Sequence, residues 1–178
     1  MKVGYQMTVS VRKATTEDAR RLHTIILAAL EDKNSEVYKA NVERFGVPEE
    51  FVRQAFSLEM LRKAVKDENQ LFLVAVRNQE LIGFAQTIRT DEKKAELDRM
   101  LVVPEETGKG IGARLLRRTV DMLRRESFGR LTVKTGKDET LARRFYEKYG
   151  FKLVEETTIK ARWGRELKLA IYELKIKD

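Results

Sequence analysis

A short run, Thr107-Gly-Lys-Gly-Ile-Gly, joins an apolar strand pattern to a helical one, with glycine at positions 108, 110 and 112. A helix N-terminus directs several backbone N–H groups and the positive end of the helix dipole at one point, which suits a phosphate. Glycine there omits the Cβ that would hold a ligand off the backbone, and Lys109 adds positive charge. Two phosphate-binding signatures fail. Gly108, Gly110 and Ala113 spell G-x-G-x-x-A, yet Pro104-Glu-Glu-Thr separates strand from loop, three strands come before it, and no acid closes the next strand. Gly136-Lys137 lacks the upstream glycine and the following Ser or Thr of a nucleoside-triphosphate loop. Ahead of the loop, Glu96 and Asp98 stand two apart and so project from one face of a strand. Behind it, Tyr146 and Tyr149 share a helix face, as phenols that are protonated at neutral pH and can donate a hydrogen bond. The plainer alternative is a tight turn, salt-bridged acids and packed tyrosines.

The elements that must position these groups are legible from periodicity. Residues 9–14 alternate as a short strand. Thr15 and Thr16 followed by Glu17 and Asp18 start a helix that runs to about residue 32, with Ala19, Leu22, Ile26, Ala29 and Leu30 on its apolar side. Residues 34–47 read as a short helix or an ordered loop. Pro48 opens a further helix ending near residue 67, with Phe51, Ala55, Phe56, Leu58 and Leu61 as its stripe. The period then becomes that of strands: 71–76 and 80–89 form a hairpin, and 95–103 is a third consecutive strand. A helix at 111–126, a strand at 130–135, a helix at 139–149 closed by Gly150, and a hairpin of 151–161 with 166–176 complete the chain. The order β-α-α-β-β-β-α-β-α-β-β predicts an α/β fold: a mixed, mainly antiparallel central sheet of about seven strands with helices on both faces.

The sequence has 178 residues, which predicts a single domain, placed at 9–178 behind a loose leader, 1–8, in which Met7 is an alternative start. The N-terminus lacks the apolar core of a signal peptide, and no run reaches the ~18 apolar residues of a membrane span. There is no cysteine, which excludes disulfides, thiolate metal sites and cysteine nucleophiles, and a cytoplasmic location is expected. No metal site is expected. The net charge is +8, from 36 Lys and Arg against 28 Asp and Glu. Because the basic residues are dispersed among acids, the charge favours capture of a small polyanion over nucleic acid.

The residues 102–116, VVPEETGKGIGARLL, resemble the acetyl-CoA-binding segment of the GCN5-related N-acetyltransferases (the GNAT superfamily), whose loop is Gln/Arg-x-x-Gly-x-Gly/Ala. Residues 141–151, LARRFYEKYGF, are similar to that family's A-x-x-F-Y-x-x-x-G-F helix and strand. The resemblance runs from about Val9 to Ile176. Two positions depart from the pattern: Thr107 replaces the usual Gln or Arg, and Glu139 stands where many members have Asn. The resemblance implies that the chain transfers acetyl from acetyl-CoA directly to a primary amine. It implies that the pantetheine arm pairs with backbone groups of Leu101, Val102 and Val103. The pyrophosphate would rest on Thr107, Gly108, Lys109, Gly110, Ile111, Gly112 and Ala113.

An alkyl amine of pKa ~10 needs a proton acceptor, and a departing thiolate of pKa ~8.5 gains from a donor. Glu96 is the expected base, at a position where some members carry one, with Asp98 as second choice; Tyr146, in preference to Tyr149, is the expected acid. His23, the single histidine, reads as structural, and Trp163 as either an acceptor-side aromatic or a turn anchor. Residues 14–70 carry Glu31, Asp32, Glu36, Glu43, Glu49 and Glu50, which would suit a cationic acceptor such as a polyamine, an aminoglycoside or a protein amine. Partners are therefore acetyl-CoA and an amine, with a homodimer left open.

Overall fold

The computed structural model describes residues 8–177, so the expected leader lies outside the described residues apart from Thr8. The chain begins with strand β1 (Ser10–Lys13) and helix α1 (Thr16–Glu31). Their joint is fixed by one acid. Thr15 caps α1 through its side chain and forms a capping box with Asp18. The Asp18 carboxylate, 2% exposed, also accepts from Arg12 at 2.6 and 3.0 Å and from Thr15 N at 2.7 Å.

Residues 34–47 contain one helical turn, α2 (Glu36–Tyr38), that continues as a π-helical segment, Lys39–Arg44. The single helix expected over 48–67 is two: α3 (Glu49–Ala55) and α4 (Leu58–Lys66). Ser57 causes the break, because its hydroxyl accepts from Met60 N and founds a fresh N-cap. The bend lets Val52 and Phe56 on one side, and Leu61 and Ala64 on the other, all reach the sheet core.

Three antiparallel strands follow, β2 (Gln70–Arg77), β3 (Glu80–Arg89) and β4 (Lys94–Val102). The β2–β3 turn uses Asn78 and Gln79 at positive φ. After a short 3-10 turn, Pro104–Glu106, come α5 (Ile111–Arg125), β5 (Arg130–Gly136), α6 (Thr140–Lys148), β6 (Lys152–Lys160) and β7 (Glu166–Lys175). The seven strands lie in the order β1-β2-β3-β4-β5-β7-β6. All neighbours run antiparallel except β4 and β5. One face is covered by α5 and α6, through Ile111, Leu115, Leu123 and Tyr146. The other is covered by α1 to α4, through Leu22, Ile26, Val52 and Leu61. The mixed sheet with helices on both faces is the architecture expected from the periodicity.

The parallel pair is incomplete. Lys94–Leu97 pair with Arg130–Val133, and the ladder then stops. The cause lies in β4, where Thr87 opposes Leu97 and Gln86 opposes Arg99, leaving Asp98 as an extra, bulged residue. Beyond it β4 keeps its pairing with β3, and β5 keeps its pairing with β7, but the two strands no longer hydrogen-bond to each other. A wedge opens in the middle of the sheet.

The Asp18 knot makes a separate prediction. Burial pushes its carboxyl up, but hydrogen bonds from Arg12 and Thr15 outweigh burial and hold it below the usual carboxylate range. A depressed pKa means that the stabilisation is present above about pH 4 and is lost as pH falls below it. Asp18→Ala should lower unfolding free energy by about 2 kcal/mol at pH 7. The gap between the two urea midpoints should narrow steadily below pH 4.

Candidate active site

The wedge forms a cavity of about 570 Å³. Its walls come from α2, the π segment and α3 on one side, from β4 and β5 at its back, and from α6 and the β6–β7 turn on the other. Asp98, Leu101, Val102 and Tyr146 line it, which brings four of the expected site residues to one place.

In the loop that follows β4, Gly108 and Gly110 have φ of +79° and +78°, and a Cβ at either would meet open space. Their role is backbone conformation with an unobstructed approach. Gly112 differs: it lies inside α5, and its Cβ would meet the Phe145 ring at 3.6 Å, an ordinary contact, so neither space nor backbone conformation demands glycine there. The N-cap of α5 is Gly110, without a side-chain cap, and its first turn carries no acid. Among the described residues, the N–H groups of Gly108, Gly110, Ile111, Gly112 and Ala113 have no acceptor. Five donors and a helix dipole therefore converge on solvent at the place where the sequence puts a phosphate cradle. Thr107 N and Lys109 N bond within the loop, to Pro104 O and Glu106 O. The entry is braced by Arg77, which donates to both carboxylate oxygens of Glu106 at 2.7 Å. Lys109 Nζ rests 3.5 Å from the same acid.

On β4, Val103 N donates to Ile82 O. By antiparallel alternation Leu101 also turns its backbone groups toward β3, which leaves those of Val102 facing the wedge. The two carboxylates separate. Asp98 lines the cavity, ion-paired with Arg99 at 3.1 Å. Glu96, half-buried, is not among the lining residues and binds Lys134 Nζ at 2.9 and 3.1 Å. The bulge that opens the wedge is also what brings Asp98 to its wall.

Tyr146 is 8% exposed, packed edge-on against Phe145 and Phe151. Burial, reinforced by the charge of Glu139, pushes its phenol up to about 12. Tyr149 instead lines a separate groove between α5 and the end of β7, so the two tyrosines do not share a site. Glu139 is neutralised in place: one oxygen accepts from Arg44 at 2.7 Å and the other from Gly136 N at 2.6 Å. Sequence reasoning passed over Thr135. It is 4% exposed, lines the cavity, and its hydroxyl has no partner among the described residues. The signal was the alternation Leu131, Val133, Thr135 along β5, which carries a polar residue into a buried position.

On the acceptor side, Trp163 Nε1 donates to Phe45 O, which makes it the anchor of the β6–β7 turn against the π segment. Of the six acids flagged between residues 14 and 70, only Glu36 lines the cavity. His23 Nδ1 bonds to Phe56 O at 2.8 Å and ties α1 to the α3–α4 break. Among the described residues no three His, Cys, Asp or Glu side chains are grouped to hold a metal ion, and no helix is long and apolar enough to cross a membrane.

Comparison with known proteins agrees with this geometry. Residues 26–151 match the model of the acetyltransferase (GNAT) family. A spermidine N(1)-acetyltransferase of Thermoplasma acidophilum is 30% identical over 155 residues, 85% of this chain and 92% of that protein. The solved PaiA N-acetyltransferase from T. acidophilum, in complex with coenzyme A, superposes with a TM-score of 0.72 at 26% identity, over 95% of this chain and 99% of that one. The ribosomal-protein-S18-alanine N-acetyltransferase of Escherichia coli shares the fold, with a TM-score of 0.68 at 19% identity, over 96% of each chain. With the parted strands, the uncapped glycine loop and most of the chain matched, this protein belongs to the GNAT acetyltransferase family.

Proposed function

We propose that the chain transfers the acetyl group of acetyl-CoA directly to a primary amine. The observation that carries this reading is a pair of features: unpaired amides at the start of α5, just after β4, and a wedge beside β4 whose wall bears the hydroxyls of Tyr146 and Thr135. The residues present suit a CoA-type ligand: five free N–H donors for a pyrophosphate, and a strand edge at Val102 for an amide-bearing arm. The polyamine named for the Thermoplasma relative is one member of the amine class proposed.

Bound acetyl-CoA supplies the thioester carbonyl that the amine nitrogen attacks and the thiolate that departs. The amine must first lose its proton. Of the two expected bases Asp98 is the one on the cavity wall, so it takes that proton, directly or through water; Glu96, held by Lys134 outside the lining, is second in line. A phenol at about 12 is a much weaker acid than a thiol at ~8.5, so full transfer to sulfur is uphill by more than three powers of ten. Tyr146 therefore acts by donating a hydrogen bond to the developing thiolate and keeps its proton, and the departing thiolate takes, through water, the second proton that the attacking nitrogen sheds as the adduct collapses. The Thr135 hydroxyl is a further donor on the same wall.

Release of free thiol from acetyl-CoA in the presence of a panel of primary amines tests the reading; tight CoA binding with no amine-stimulated release would contradict it. Tyr146→Phe should lower kcat about 100-fold while KM for acetyl-CoA stays within twofold. Because the phenol stays protonated, wild-type activity should show no loss assignable to Tyr146 up to pH 10. Asp98→Asn should cost more activity than Glu96→Gln. Gly110→Val should lower stability by about 1–2 kcal/mol through the left-handed backbone. Calorimetric titration of that variant should nevertheless show CoA affinity weakened at least tenfold.

A further inference from the structure

The charges around the acceptor end of the cavity are already committed. Asp98 is paired with Arg99, and Glu139 with Arg44. Lys134 lines the cavity while its partner, Glu96, does not. Arg162 reaches in from the β6–β7 turn and sits over the Phe51 ring at 4.8 Å, and Arg99 sits over Phe56 at 4.5 Å. The lining acids are Glu36, Asp98 and Glu139, against Arg44, Arg99, Lys134 and Arg162. Glu36 is the lining acid with no ion-pair partner among the described residues. Between these charges the surface is apolar, with Phe45, Val47, Phe51 and Phe56 facing the same space.

We propose that the acceptor is a monoamine: a primary amine bearing one positive charge on an apolar body of about aromatic size, and not a polyamine. This rests on the acetyl-transfer reading and narrows it. One ammonium finds the unpaired Glu36 on the lining and is discharged beside Asp98. A second or third ammonium on the same molecule meets Arg99 and Arg162, whose like charge repels it in a partly desolvated cavity. An apolar body instead covers Phe51 and Phe56 and leaves the two guanidinium–ring contacts in place. Glu31, Asp32, Glu43, Glu49 and Glu50, which could have received a polycation, stand away from the cavity lining. The same chemistry is offered by a free aralkylamine and by the N-terminus of an otherwise uncharged peptide.

The test is kcat/KM, measured by thiol release, for phenethylamine, for a C-terminally amidated Phe-Gly-Gly peptide, and for spermidine. At least one of the first two should exceed spermidine tenfold or more, and the faster identifies the source. Spermidine equal to or better than both overturns the inference and leaves acetyl transfer standing, whereas silence with every amine removes the acetyl-transfer reading and this one with it. Two variants carry the charge argument independently of folding losses. Arg162→Glu should raise the spermidine-to-phenethylamine ratio at least fivefold, and Phe51→Ser should lower phenethylamine turnover while sparing spermidine. An unmoved ratio in both overturns the assignment.

Discussion

The parting of β4 from β5 after Leu97 and Val133 is the constraint on which the rest of the molecule turns. A sheet interior normally satisfies every backbone group, so an unpaired stretch there must be answered by a ligand or by water. The extra residue at Asp98 accompanies this gap: it shifts the β3–β4 register by one residue, after which pairing resumes, while the β5–β7 ladder runs unbroken. It also resets the alternation, so that Arg99 reaches Ala55 O and the Phe56 ring on the α1–α4 face. The helices hold the gap open. The α5 helix packs on β2, β3 and β4, α6 packs against β6, and the π segment is joined to the start of α6 by Arg44 and Glu139.

Electrostatics within this frame keep the buried phenol neutral. Tyr146 is kept protonated by burial and by Glu139, and Glu139 is itself held by Arg44 and Gly136 N. An acid at that position is therefore compatible with an anionic ligand nearby, because its charge is offset before the ligand arrives. The free positive potential lies instead at the uncapped start of α5, where five amides and Lys109 face outward.

Much of this was legible in the sequence, for physical reasons. Hydrophobic period separated helices from strands, and Thr15 with Asp18 marked the start of α1 through capping chemistry that is local. The glycine loop declared itself because positive φ at Gly108 and Gly110 restricts residue choice. Less legible were features that depend on partners distant in the chain. The bulge at Asp98 has no local signature, so the sequence put Glu96 first and Asp98 second on one strand face, and only the β3 register separates them. The break at Ser57 was masked by an apolar stripe that continued across it. Tyr149, three residues from Tyr146, faces a different groove because α6 ends there. Thr135 looked like an ordinary strand residue until its burial left its hydroxyl without a partner.

Amide hydrogen exchange with and without CoA tests the wedge most directly. The amides of Val102, Gly108, Gly110, Ile111, Gly112 and Ala113, which have free or wedge-facing N–H groups, should gain strong protection on binding. Amides around Tyr149 and Leu174, in the groove beyond α5, should not change. Protection at that groove with none at Val102 and the loop would contradict the account.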